Sequence, residues 1–241
     1  MLLSLLSLVV LLGLASVFIV LHKRASDAAK SAHTGASSTE STVSLKSSLK
    51  RPTCWLAIRQ RDIKAVQSAL TLHNLKPCPC REGLIVGNEQ KLFVSPPIQG
   101  WILVVGSALP DPVEDVDVCF RFLLELSRKL GHVQYFKSNL VLNHHAWAKM
   151  ESGRVIRGYA WAGHTLWNQG ECTPAEAQLR LKSYNYGEAA DHGSFWSSSP
   201  SAANAEKVHS LAAEWSIDPE SIDDRFTENA IGVVGEPVRL V

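Results

Sequence analysis

Six residues between positions 144 and 168, namely His144, Arg157, Tyr159, Trp161, His164 and Asn168, are of the types that hold and polarise a small anionic or aromatic molecule. A guanidinium pairs with carboxylate or phosphate, an imidazole exchanges a proton near neutral pH, and an amide both donates and accepts. That chemistry requires all six on one surface. The sequence offers one: stretches 142–149, 154–161 and 164–169 alternate as strands and are punctuated by Ser152-Gly153 and Ala162-Gly163, which predicts an antiparallel meander.

If both links are two-residue turns, the register follows. Ala148 lies across from Arg157 and Asn168, Ala146 from Tyr159 and Leu166, and His144 from Trp161 and His164, so the six candidates share a face. Trp147, Gly158 and Trp167 form a row on the other face, the glycine leaving room for the indoles. The competing reading is an ordinary solvated sheet face whose polar residues satisfy only their cross-strand neighbours.

Other chemistry is less well supported. His144 and His164 lie two strands apart in this register, roughly 9–10 Å, too far for two ligands about 2 Å from one ion. His144 and His145 point to opposite faces. Cys78-Pro-Cys80 lacks the two-residue spacing of a zinc knuckle or a thioredoxin-type pair, and no second pair matches it. The expectation is therefore no metal and no cofactor. There is no Gly-x-Ser-x-Gly elbow, phosphate-binding glycine loop or His-Glu-x-x-His. Asp115 and Asp117 belong to the charged side of a helix, and Asp223-Asp224 to a short terminal turn, which leaves neither pair placed as general acid and base.

The elements that must position the meander are legible around Gly100-Trp-Ile-Leu-Val-Val-Gly106, an apolar run that reads as a strand buried on both faces. Asp111-Pro112 predicts the start of a helix, Val116, Cys119, Phe120, Leu123 and Leu130 mark its apolar face, and Gly131 its stop. Upstream, residues 53–58 read as a strand and Ile63, Val66 and Leu70 as a helix face begun at Asp62. Residues 83–87, 91–94 and 132–136 supply further strands. The order β-α-β-β-α-β is that of a ferredoxin-like core, here extended by the meander, so the fold class expected is α+β with a mixed or antiparallel sheet. Thr173-Pro-Ala-Glu176 is a capping box, Val208, Leu211, Ala212 and Trp215 mark a last amphipathic helix, and Asp218-Pro219 caps one further turn. Residues 230–241 hold Gly232, Gly235 and Pro237 and read as an irregular or edge segment.

Residues 2–21 carry no charge and are long enough to cross a bilayer. The competing reading is a cleaved signal peptide, but no basic residue precedes them, whereas Lys23, Arg24 and Lys30 follow, which favours an uncleaved anchor with the rest of the chain in the cytoplasm. The domain plan is an anchor at 1–24, a Ser/Thr/Ala-rich linker at 25–51 that cannot bury enough surface to order itself, and one folded domain at 52–241. The five cysteines are odd in number and irregularly spaced, as reduced thiols would be. A net charge of +1 with no basic stripe leaves no footprint for nucleic acid. Together with seven tryptophans, a residue type enriched at interface hot spots, this predicts a membrane-tethered module that binds or regulates a protein partner. The alternative is an enzyme acting on a small anionic substrate through the meander face.

Overall fold

A computed structural model describes residues 52–85, 90–188, 200–222 and 224–238. The expected anchor and linker lie outside the described residues. Among the described residues no helix is long and apolar enough to cross a membrane.

The fold is α+β, built on one nine-stranded sheet in which every neighbouring pair is antiparallel. In chain order the elements are β1 (Cys54–Ile58), α1 (Ile63–Ala69), β2 (Leu72–Pro79), α2 (Cys80–Gly83), β3 (Leu92–Val94), β4 (Ile102–Val105), α3 (Val116–Leu130) and β5 (His132–Asn139). There follow β6 (His144–Glu151), β7 (Arg154–Trp161), β8 (Thr165–Gln169), α4 (Pro174–Gln178), α5 (Pro200–Trp215), a 3₁₀ turn (Pro219–Ser221), α6 (Asp224–Asn229) and β9 (Ile231–Pro237). Across the sheet the strands run β2-β9-β3-β4-β1-β5-β6-β7-β8.

The unbroken apolar runs have a simple cause. Each face of the sheet is covered by its own apolar layer, so β1 and β4 have no solvated side. Leu56, Ile58, Ile102 and Val104 join Val66 of α1 and Leu123 and Leu126 of α3 in one layer. Trp55, Ala57, Leu103 and Val105 join Val208, Leu211 and Ala212 of α5 in the other.

Helix α3 begins later than Asp111. Asp115 is its cap, its carboxylate accepting from the N–H groups of both Asp117 and Val118 at 2.9 Å. Asp111 instead closes a turn by accepting from the Val113 N–H and pairs with Lys137 of β5. Gly131 ends the helix at φ 82°, as its sequence position predicts.

Two elements differ from expectation for non-local reasons. Residues 231–237 form an inner strand between β2 and β3 rather than an irregular edge. Gly232 lies against Phe93, whose ring a Cβ would meet at 2.5 Å, so the glycine that reads as a breaker is what admits the strand. The true edge is β2, where Pro77 and Pro79 are tolerated because one side of the strand has no ladder to complete. The strand expected from residue 83 is absent at Gly83, Leu84 and Ile85, which end α2 and turn; positions 86–87 lie outside the described residues.

The meander register also differs. Ser152 and Gly153, both at positive φ, do make the two-residue turn of β6–β7. Two residues on, however, a bulge lets Ile156 go unpaired, so Lys149 faces Arg157, Ala148 faces Gly158, Trp147 faces Tyr159 and His145 faces Trp161. The β7–β8 link holds three residues, with Trp161 opposite Thr165, and a second bulge then leaves Leu166 unpaired, so that Ala160 faces Trp167 and Tyr159 faces Asn168. One extra residue in a strand reverses which side chains share a face beyond it.

Candidate functional site

Bulges at Ile156 and Leu166, with the three-residue turn, decide which candidates meet. Arg157, Tyr159, Trp161 and Asn168 share one face of the sheet, and they are joined there by Trp147 and His145. His144 alternates to the other face at the first position of β6, and His164 stands exposed in the β7–β8 turn. Gly158 and Trp167 do pack on the opposite face as expected, without Trp147.

The shared face is covered. Arg157, Tyr159 and Trp161 are each no more than 1% exposed, beneath α4, α5 and the segment 179–184. Arg157 donates through Nε to Glu176 Oε1 at 2.9 Å and Oε2 at 3.3 Å, and through Nη1 to Asn168 Oδ1 at 2.8 Å and the carbonyls of Gly158 and Gln169 at 2.9 and 3.2 Å. Glu176 also accepts from Trp147 Nε1 at 2.7 Å, and from the N–H and hydroxyl of Thr173 at 2.8 Å each. The capping box predicted from Thr173 and Glu176 is present, and the same carboxylate serves as counter-ion to a buried guanidinium. Tyr159 accepts at its hydroxyl from the Tyr184 N–H, while Thr165 and Asn168 donate to the Tyr184 carbonyl. Burial raises the Tyr159 pKa. These groups clasp the segment after β8 onto the sheet, and the guanidinium is spent on internal acceptors.

His145 lies beside this clasp, stacked on Trp147 at 5.7 Å and facing Asn204 Nδ2 at 3.3 Å. Burial, reinforced by His144, pushes its pKa from 6.5 down to about 3. Unfolded chain therefore binds the extra proton between those values, and stability falls as pH drops through that window by up to about 1.4 kcal/mol per unit. Urea unfolding at pH 7 and pH 5 is expected to show a loss of about 2 kcal/mol that His145→Gln lacks. An equal loss in both proteins would place the acid sensitivity elsewhere.

The thiols are not poised for nucleophilic attack. Burial raises Cys54 and Cys80 to about 11 and Cys119 higher still, and all five cysteines are free.

Away from the meander, His209 of α5 shares a 2.8 Å hydrogen bond with Asp218 Oδ1 and its ring lies 4.7 Å from that of Trp55. With Glu220, these are the side chains among the described residues whose donors come close enough to hold a cation. Asp218 is already engaged, since it caps the 3₁₀ turn by accepting from the Glu220 N–H. Adjoining the pair is a cleft of about 470 Å³ with a mixed lining, in which Ile98, Ile217, Ile222 and Phe226 stand beside Gln99, Ser216, Asp218 and Ser221. Its walls come from the β3–β4 loop, the end of α5 and the segment after it. Sequence periodicity singles out none of these residues, because the cleft exists only where a loop, a helix end and the segment after it meet.

No family model, no curated protein and no solved structure matches the chain.

Proposed function

We propose that the chain is a membrane-tethered binding module: residues 2–21 anchor it, residues 25–51 give it reach, and the folded domain stands in the cytoplasm and takes a protein partner. The observation that carries this reading is the cleft at Ile98, Ile217, Ile222 and Phe226. Its volume of about 470 Å³, with Ile98, Ile217, Ile222 and Phe226 beside Gln99, Ser216, Asp218 and Ser221, suits the insertion of a partner side chain that combines an apolar body with a polar tip. The meander, by contrast, acts as scaffold, since its cation and aromatic rings face inward and are already partnered. In the same reading, strands β3-β4-β1-β5 with α1 and α3 are a ferredoxin-like core to which the meander and the β2–β9 ribbon were added.

Two measurements test it on the full-length chain. A reporter fused after Val241 is expected to be active in the cytoplasm, and a photo-cross-linker at exposed Ser221 on the cleft rim is expected to capture a protein that Phe226→Ala no longer engages. Export of the reporter, or capture unaffected by Phe226→Ala in a folded variant, would count against the proposal.

A further inference from the structure

We propose that the β5–β6 hairpin tip, Leu140, Val141 and Leu142, dips into the bilayer and fixes which pole of the domain faces it. The inference rests on the tethered reading above. Three consecutive apolar side chains are exposed here, Leu140 at 47%, Val141 at 94% and Leu142 at 59%. Their loop is held by polar contacts at its base rather than by burial: Asn139 pairs with His144, Asn139 Oδ1 accepts from the Leu142 N–H at 3.0 Å, and Asn143 takes φ 52°. Val141 is thus presented almost wholly to solvent, with Leu140 and Leu142 about half exposed on either side of it.

The place where the folded chain begins argues for lipid as the occupant. Ser138 donates to the Thr53 carbonyl at 2.9 Å, so Pro52, the first described residue, lies beside the base of this hairpin. The tip stands only roughly 10 Å beyond it, two to three residues at strand rise. The described chain therefore begins at the tip's own pole. A flexible linker the length of residues 25–51 has a root-mean-square span of about 30 Å, which holds the tip near the bilayer at an effective concentration of order millimolar. Full transfer of one such side chain from water favours insertion by roughly ten- to a hundredfold, so a tip of three is weak alone and effective as a second contact beside an anchor.

The consequence is an orientation. The sheet is antiparallel throughout, so the register puts the turn at 162–164 at the tip's pole and the turn at Ser152-Gly153 at the opposite one. Ile98 follows β3 and bridges to Trp101 at the start of β4, whose Ile102 pairs with Ile58 at the far end of β1. The cleft is accordingly directed away from the lipid, open to a partner.

The test uses the full-length chain with Cys78→Ser and Cys172→Ser, reconstituted in vesicles of phosphatidylcholine and phosphatidylglycerol. An environment-sensitive fluorophore is attached at Val141→Cys, or at Arg154→Cys on the opposite pole as control. The Val141 probe is expected to blue-shift and to be quenched by nitroxide-labelled lipid, the Arg154 probe to do neither, and Leu140→Ser with Leu142→Ser to reduce the quenching about tenfold or more. Flotation of the vesicles separates the two readings. A chain that fails to float overturns the anchor and this inference together, whereas one that floats with an unquenched Val141 probe overturns the tip contact and leaves the tether standing. A blue shift of equal size in lipid-free solution would mean that a second copy covers the tip, which also overturns it.

Discussion

Arg157→Ala is expected to destabilise the domain by about 3–5 kcal/mol, because it leaves the Glu176 carboxylate buried without its counter-ion. The carboxylate would keep Trp147 and Thr173 as donors, but neutral donors do not offset a desolvated charge. Asn168 and the carbonyls of Gly158 and Gln169 would lose their donor in the same step. Thermal unfolding is expected to fall by roughly 6–20 °C, at about 2–4 °C per kcal/mol for a domain of this size. Arg157→Lys keeps the charge and loses the planar fork, so it is expected to recover little. Removing both charges as Arg157→Met with Glu176→Gln, which keeps an acceptor for Trp147 and Thr173, is expected to recover part of the loss, since much of the cost of the single variant lies in the orphaned charge rather than in the pair's net worth. A midpoint within a few degrees of wild type for Arg157→Ala would mean that this face is not closed in solution, and would return Arg157 to the role of a ligand-facing cation.

The elements that were legible in the sequence are those whose signal is local. Ile102, Leu103, Val104 and Val105 form a run that only a doubly covered strand explains, Cys119, Leu123 and Leu130 recur at helical spacing, and Thr173 with Glu176 is a complete cap. What stayed hidden depends on partners distant in the chain. Gly232 reads as a breaker until Phe93 is placed against it, and prolines at 77 and 79 are compatible with a strand only where β2 is an edge. The start of α3 turned on a choice between two aspartates four residues apart, and the one left over, Asp111, meets Lys137 across the fold.

The candidate site shows the same division more sharply. Four of its six residues share one face of the meander, but the face each occupies depended on two unpaired residues, Ile156 in β7 and Leu166 in β8, and on a turn of three residues instead of two. A bulge carries no strong sequence signature in a strand where arginine, glycine and β-branched residues already alternate irregularly. The covering of that face was also out of reach, because the helix that closes on Arg157 is short, and its carboxylate looked fully accounted for by its own cap.

Trp161→Ala tests the covering directly. The indole is 1% exposed, faces the ring of Tyr184 at 5.0 Å, and lies opposite His145 across the strand pair. Truncation removes most of a large side chain from beneath a segment with little regular structure of its own, where the surroundings include Tyr159 hydrogen-bonded to the Tyr184 backbone and Thr165 bonded to the Tyr184 carbonyl. A loss of about 3–5 kcal/mol is expected, as for other fully buried tryptophans. Trp161→Phe keeps a ring against Tyr184 and is expected to lose clearly less. Hydrogen exchange should localise the damage: amides of residues 179–186 are expected to lose protection before those of β1 and β4, because the former are held down by this ring and the latter by both apolar layers. If Trp161→Ala instead left stability unchanged within about 1 kcal/mol, the segment over the meander would be a movable cover, and the face beneath it would again be open to a ligand.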